Sequence, residues 1–195
     1  MGHILIIYAT QCGHVAQMAE QVCAGVAMGG MEAKLRTVPK ISATCEASAP
    51  EIPSSGPLYA TPEDLEHCSG IILGSPIHFG NMSAELKYFL DQTVNQWTSG
   101  ALINKPAGVF AAGGSMHGGQ ESTLLSMMLP LFHHGAILMG IPYSEPGLNQ
   151  TTRGGTPYGP SYVVGHTADD SMTNHETLLC QALGKRVALL SKKIA

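Results

Sequence analysis

The fold of this chain is decided by the stretch HILIIYATQCGHV, which occupies residues 3–15. Its first part, HILIIYA at residues 3–9, is almost unbroken apolar sequence rich in β-branched side chains. Such a run suits a strand buried on both faces, which is typical of a parallel sheet covered by helices. A helical pattern begins at Val15, directly after the polar turn TQCGH at residues 10–14. The stretch therefore predicts a strand, a polar turn and a helix in immediate succession.

The polar turn offers hydrogen-bond donors to an anion. The first N–H groups of a helix lack intrahelical partners, and the helix dipole adds partial positive charge there. Thr10 can donate a hydroxyl proton, and Gly13 lets the backbone approach a ligand closely. Neither GxxxxGK[ST] nor, after this strand, GxGxxG occurs, which excludes a nucleoside triphosphate loop and a dinucleotide fingerprint. A phosphate monoester on a smaller ligand remains, although an ordinary βα unit shares this pattern.

Composition limits the kind of protein that contains this unit. No linker-like run divides the 195 residues, which predicts a single domain over residues 1–195. Hydrophobic residues make up 44% of the chain and charged residues 12%, so much of the surface is neutral and suited to a homo-oligomer. The net charge of −4 and the lack of a Lys/Arg cluster exclude non-specific nucleic-acid binding. We therefore expect small-molecule partners.

Cysteine spacing and the apolar runs indicate the compartment. The 5 cysteines are widely spaced and form no C-x-x-C pair, which fits a reducing cytosol better than a disulfide scaffold or a zinc site. No signal peptide precedes the first strand, and no apolar run reaches the roughly 20 residues of a membrane helix. These features predict a soluble, cytoplasmic protein without a metal site or an integral membrane segment.

Strand and helix patterns alternate along the rest of the chain. Strands are expected at residues 32–38, 70–76, 105–112 and 136–139, and helices at 15–28, 63–67, 83–92, 120–133 and 174–193. Two segments rich in Pro, Gly or Ser, at about 40–62 and 140–170, are expected to be insertions. The alternation predicts an α/β fold with a parallel sheet and helices on both faces.

Three loops of this sheet are expected to meet, because ligands bind beyond the carboxyl ends of parallel strands. The loops are residues 10–14, 76–81 and 113–119, and all are rich in glycine or polar groups. Phe79 adds an aromatic ring to the second loop. The loops together predict a site with a phosphate at one end and a flat ring at the other, which is the shape of a flavin.

Five motifs in order resemble the WrbA family of flavodoxin-like, FMN-dependent NAD(P)H:quinone oxidoreductases. They are GSPIHFGNMS at residues 74–83, FLDQT at 89–93, HGGQE at 117–121, HHG at 133–135 and RGGTPYG at 153–159. The resemblance covers nearly the whole chain. It implies a doubly wound sheet of five parallel strands in the order 2-1-3-4-5, an FMN cofactor and a homotetramer.

By position, the resemblance implies which residues hold the cofactor. The FMN phosphate would bind in the first loop, at Thr10, Gln11, Cys12, Gly13, His14 and Val15. The isoalloxazine would be flanked by the other two loops, at Pro76, Ile77, His78 and Phe79 and at Ala112, Gly113, Gly114, Ser115, Met116, His117 and Gly118. His133 would approach the cofactor from a neighbouring element. No side chain is implied as a catalytic group, because the chemistry resides on FMN.

Two positions are implied in contacts with nicotinamide or quinone. Trp97 matches a family tryptophan that lines the substrate space. Cys12 stands where family members commonly have tyrosine, so the first loop lacks a stacking ring.

Three functions are compatible with these features. The leading hypothesis is an enzyme that passes a hydride from NADH or NADPH to FMN and then two electrons to a quinone. The alternatives are a flavodoxin-type electron carrier and an FMN-binding tetramer with a structural or regulatory role. The net charge of only −4 and the two long insertions favour the enzyme over a small carrier.

Overall fold

A computed structural model describes residues 2–42, 52–164 and 171–194. Parts of both expected insertions, residues 43–51 and 165–170, lie outside the described residues, as does Cys45. Within the described residues the chain forms six strands and seven helices. In chain order these are β1 (His3–Tyr8), α1 (His14–Met28), β2 (Glu32–Thr37), α2 (Asp64–His67), β3 (Gly70–Pro76), α3 (Ala84–Asp91), α4 (Val94–Thr98), β4 (Pro106–Gly113), α5 (Gln120–His133), β5 (Ile137–Leu138), α6 (Gly147–Gln150), β6 (Ser161–Val163) and α7 (Asn174–Ile194).

The sheet is parallel and its main strand order is β2-β1-β3-β4-β5, which confirms the expected order. The number of strands differs from the expected five, because β6 also joins the sheet. β5 pairs with the start of β4 at Pro106 and Ala107, whereas β6 pairs with its end, at Ala111 to Gly113. Since β3 occupies the other edge of β4, the fifth strand position is filled by two separate pieces.

The second insertion therefore begins inside the fifth strand position. The Met139 N–H still donates to the Ala107 carbonyl of β4 at 2.8 Å. The next ladder donor, Ile141, instead donates to Pro157 of the insertion at 2.8 Å, and Pro142 has no N–H to donate. The chain leaves the sheet here and returns as β6.

Both faces of the sheet are buried under helices, as the apolar run of β1 predicted. Leu5 and Ile7 belong to a core cluster on one face, together with residues of α3 and α5. Ile4 and Ile6 belong to a second cluster on the opposite face, together with α1 and α7. All four of these side chains are fully buried. Side chains alternate between the faces of a strand, so a strand covered on both sides is apolar at every position.

Two glycines let α1 and α7 pack with their backbones in close contact. A Cβ added at Gly25 would lie 2.0 Å from the carbonyl oxygen of Gln181, and one at Gly184 would lie 2.1 Å from that of Val22.

Across the described residues, no helix is long and apolar enough to span a membrane.

Candidate functional site

The three predicted loops meet at the carboxyl edge of β1, β3 and β4, where they enclose a cavity of about 250 Å³. Its walls come from the first loop, the second loop, the end of β4 and the residue after β6, and they comprise Thr10, Gln11, Cys12, His14, Val15, Pro76, Ile77, His78, Ala112, Gly113, Gly114 and Val164. Eleven of these twelve residues were singled out from the sequence. Val164 was missed because β6 was not recognised as part of the sheet.

The first loop keeps the start of α1 open to an anion. Gly13 precedes the helix with φ +88°, a left-handed conformation that favours glycine. Its N–H donates to the Thr10 hydroxyl oxygen at 3.2 Å, and that hydroxyl keeps its own proton to donate. No side chain caps the helix and no acidic residue lies in its first turn. Within the helix start itself, neither a side-chain cap nor an acidic residue therefore neutralises the partial positive charge.

The second loop is a tight turn that carries an exposed aromatic ring. The N–H and carbonyl groups of His78 and Asn81 bond reciprocally at 3.0 Å. The two residues between them have positive φ, +53° at Phe79 and +73° at Gly80. A positive φ is unusual for an aromatic residue, and the Phe79 ring is fully exposed. Strain without burial is typical of a residue that serves binding.

The third loop lies directly on the second because both have glycine at the contact. A Cβ at Gly113 would come within 2.6 Å of Ile77, and one at Gly119 within 2.8 Å of the Gly80 Cα. The walls of the main cavity include Gly113 and Gly114 of the third loop but not Ser115, Met116, His117 or Gly118. Phe79 of the second loop is also not among them.

Part of the third loop lines a second, smaller cavity. It measures about 80 Å³ and is lined by Met116 and His117 together with Arg153 and residues near β6. The Gln120 side chain closes the loop by donating to the Ser115 carbonyl at 2.5 Å.

Trp97 and His133 do not reach the cavity within one chain. α5 starts at the carboxyl edge of the sheet and runs back, so His133 lies near the start of β4, where the following strand pairs with Pro106. The Trp97 indole donates to the His133 carbonyl at 2.8 Å. Both residues line a separate, mostly apolar groove of about 450 Å³ between α3, α4 and α5. If they contact a cofactor, a second copy of the chain has to bring them there.

His134, which the sequence did not single out, is the buried histidine of this groove. Its Nε2 lies 3.0 Å from the Thr93 hydroxyl, which donates its own proton to the Leu90 carbonyl at 2.7 Å. Nε2 therefore carries the ring proton, and the buried Nδ1 has no partner among the described residues. Burial, with a smaller effect of His133, lowers the pKa of His134, so the ring is neutral at pH 7. Its neighbour His133 is exposed, and spacing along α5 could not show which of the two points inward.

The four described cysteines are free, and only Cys12 is exposed. Its thiol stands on the wall of the main cavity. Partial burial raises the pKa of Cys23 to about 11, and full burial raises the pKa of Cys180, so both thiols stay protonated at neutral pH. Among the residues that the structure describes, no three His, Cys, Asp or Glu side chains group together to hold a metal ion.

The chain matches the model of a protein family described as NADPH-dependent FMN reductase over residues 3–144. It is 36% identical to a protein named NAD(P)H dehydrogenase (quinone) from Solidesulfovibrio magneticus, in an alignment that covers 98% of each chain.

Solved structures show the same fold. One, titled a flavodoxin, WrbA-like protein from Agrobacterium tumefaciens, matches with a TM-score of 0.65 and 21% identity over 99% of each chain. Another, titled a flavodoxin from the domain Archaea, matches with a TM-score of 0.64 and 15% identity over 97% of this chain and 99% of the other. These matches agree with the resemblance drawn from the five motifs.

Proposed function

The chain belongs to the NADPH-dependent FMN reductase family, and from this premise we propose that it binds FMN and acts as an NAD(P)H:quinone oxidoreductase. The observation that carries the proposal is the uncapped, acid-free start of α1 at the cavity between the three loops. The name of the relative from Solidesulfovibrio magneticus, NAD(P)H dehydrogenase (quinone), supports the choice of substrates.

The residues of the cavity fit FMN at both ends. No carboxylate lies among the described residues that form its walls, so none of these wall residues repels a phosphate at the start of α1. Another part of the wall is formed by Pro76, Ile77 and residues 112–114, and the cavity lining is mostly apolar. A Cβ at Gly114 would meet nothing within 4 Å, so space remains beside this backbone for a ring.

When bound, FMN supplies the redox chemistry, since a flavin accepts a hydride and returns two electrons. The chain's own share is to bind and orient it. In the proposal, the Thr10 hydroxyl and the N–H groups at the start of α1 hold the phosphate. Ile77, His78 and residues 112–114 flank the ring system, and the exposed Phe79 next to His78 is free to contact a second aromatic molecule. No nucleophilic side chain is required.

We also propose that the enzyme is a homotetramer. α5 is apolar on its inner face and also on its outer face, where Leu125, Leu129 and Phe132 are exposed. A helix that is apolar all round is normally buried on all sides. Trp97 and Val94 extend this apolar surface along α4. Covering it with a second copy would also allow Trp97 and His133 to reach a cavity that their own chain cannot offer.

We place the protein in the cytoplasm. The four free cysteines among the described residues support a reducing compartment.

The proposed function is tested by flavin binding and turnover. We expect the purified protein to quench the fluorescence of one equivalent of FMN per chain, and NADH or NADPH to bleach the bound flavin anaerobically. Added quinone should restore the oxidised spectrum over many cycles. Failure to bind FMN would refute the proposal, and binding without NAD(P)H-driven quinone turnover would instead indicate an electron carrier.

A further inference from the structure

The insertion into the fifth strand position contacts the FMN cavity, although the proposed function gives it no role. Its last strand, β6, leads directly to Val164, which forms part of the cavity wall. The Val164 N–H donates to the Gly113 carbonyl at 2.9 Å, which ties this end of the insertion to the third loop.

The guanidinium of Arg153 donates hydrogen bonds to this end of the insertion. Its Nε donates to the Val163 carbonyl at 3.1 Å, and its Nη2 donates to the same carbonyl and to that of Val164 at 3.4 Å. Its Cζ also lies 5.7 Å from the centroid of the Tyr162 ring, within the range of a cation–π contact. The planar, multiply donating guanidinium suits this combination of contacts, and an ammonium group does not.

Tyr162, which contacts Arg153, also contacts the first loop. Its side chain is fully buried in the same core cluster as Val15. The Tyr162 and His14 ring centroids lie 5.7 Å apart at an angle of 64°, an edge-to-face arrangement. His14 is the first residue of α1 and lines the cavity. A continuous series of contacts therefore joins Arg153 to the turn that receives the phosphate.

Glu176 anchors the other side of the insertion. This fully buried carboxylate accepts hydrogen bonds from the N–H groups of Gly154 at 2.9 Å and Val163 at 3.1 Å. It also forms a capping box with Thr173 at the start of α7, with contacts of 2.8 and 3.2 Å. The backbone next to Arg153 is thus fixed by the hydrogen bond from the Gly154 N–H to Glu176.

We propose that Arg153 and Tyr162 are positioning residues that hold the phosphate turn through His14, so that the insertion sets the preference of the cavity for a phosphorylated flavin. The proposal rests on the proposed function, because it assumes that the cavity binds FMN. Neither residue lines the main cavity, so both act through a neighbour. The effect is confined to the phosphate end of the ligand, since His14 stands at the start of α1.

The test compares two ligands that differ only in the phosphate. FMN and riboflavin are titrated against the wild-type chain and Arg153→Met by fluorescence quenching, with melting temperatures measured for both proteins. Arg153→Met should weaken FMN binding about five- to tenfold, the size expected for loss of a partly buried cation–π contact and its hydrogen bonds. It should change riboflavin binding less than about twofold. Arg186→Met is the matched control, because Arg186 also donates to a backbone carbonyl, that of Gly140, but makes no cation–π contact with a described ring and does not line the cavity.

Conservative variants separate positioning from general destabilisation. Tyr162→Phe keeps the ring and should retain the preference for FMN, whereas Tyr162→Leu removes the ring and should lose it. If Arg153→Met does not fold, Arg153→Lys is tested for the same selective loss of FMN binding. Lysine keeps the positive charge but lacks the planar set of guanidinium N–H donors. Equal loss of both flavins, or no loss of either, overturns the inference. Lack of FMN binding by the wild-type chain would instead overturn the proposed function on which it rests.

Discussion

Cys12 is the residue at which this chain departs most clearly from the pattern it otherwise resembles. The structure places the exposed thiol on the wall of the cavity, next to the start of α1. An aromatic residue at this position would add a ring at the mouth of the site, where nicotinamide or quinone is expected to stack.

Cys12→Tyr should therefore lower the KM for at least one of the two substrates. A stacking contact of about 1 kcal/mol corresponds to roughly a fivefold change. FMN affinity should stay nearly constant, because the proposed phosphate contacts come from the Thr10 hydroxyl and from backbone N–H groups, not from the Cys12 side chain. Steady-state kinetics with both substrates measures the change, and Cys12→Ser serves as the control of similar size. If neither Cys12→Tyr nor alkylation of the thiol alters KM or turnover, Cys12 has no contact with substrate.

Gly13 supplies the backbone geometry of the phosphate turn, and Gly13→Val should weaken FMN binding more than folding. A β-branched residue rarely adopts φ +88°, so the turn would change shape and move its N–H groups away from the phosphate. We expect about a tenfold loss of FMN affinity, equivalent to about 1.4 kcal/mol, in a fluorescence titration.

Gly56 provides a matched control for this substitution. It has φ +82°, and a Cβ there, as at Gly13, would meet nothing within 4 Å. Gly56→Val should produce similar backbone strain and a similar change in melting temperature without altering FMN affinity. Equal losses of FMN affinity in the two variants would count against Gly13 as part of the phosphate site.

At the scale of elements, α2 is attached to the edge strand β2 by one buried carboxylate. Asp64 pairs with Lys34 and with Arg36, the latter at 3.2 Å, and accepts the Thr61 N–H at 3.1 Å. Burial by itself raises the pKa of Asp64, but the hydrogen bonds from Lys34 and Thr61 and the nearby charges outweigh it, so the net shift is downward. The short helix therefore depends on an ionised side chain.

The lowered pKa of Asp64 determines how stability depends on pH. Because the folded-state pKa lies below the unfolded one, the stabilisation is present at neutral pH and is lost as the pH falls below about 4 through the folded-state pKa. Asp64→Asn should lower the free energy of unfolding by about 2 kcal/mol at pH 7 and reduce its fall in acid. Urea unfolding at several pH values measures both effects. The control is Asp91→Asn, because the exposed ion pair of Asp91 with Lys87 should contribute less than about 0.5 kcal/mol. A similar loss of unfolding free energy in both variants would contradict the role of Asp64.

At the scale of the whole molecule, the exposed apolar face of α5 predicts how the protein assembles. Leu129→Glu combined with Phe132→Glu should dissociate the proposed tetramer, because two buried charges per chain would oppose association. Quinone turnover should fall with it, since Trp97 and His133 would no longer reach a second chain. Sedimentation at micromolar concentration measures the state of assembly. The control is Leu189→Glu on α7, which is also partly exposed; a wild-type monomer that binds FMN would rule out this interface.

Features of this protein that depend on neighbouring residues could be predicted from local sequence. The apolar run of residues 3–9 indicated a doubly covered strand, and glycine and polar clusters marked the three loops. Parallel strands place their carboxyl ends at one edge, so the sequence alone predicts that those loops meet. The order of the strands and the FMN site came from the resemblance of whole motifs, and the structure agrees with that order.

Features that depend on residues far apart in the chain could not be predicted in this way, because they arise from the packing of the folded chain. The pairing of β6 with β4 joins residues about 50 positions apart, and its three residues are too few to carry a periodic signal. The same long-range packing brought Tyr162 against His14, with Arg153 over the Tyr162 ring. It also put His133 and Trp97 at the opposite end of the sheet from the cavity, because a helix that returns from the carboxyl edge ends at the other edge. Side-chain identity shows which chemistry a residue can perform, whereas the packing of distant elements decides which residues share a site.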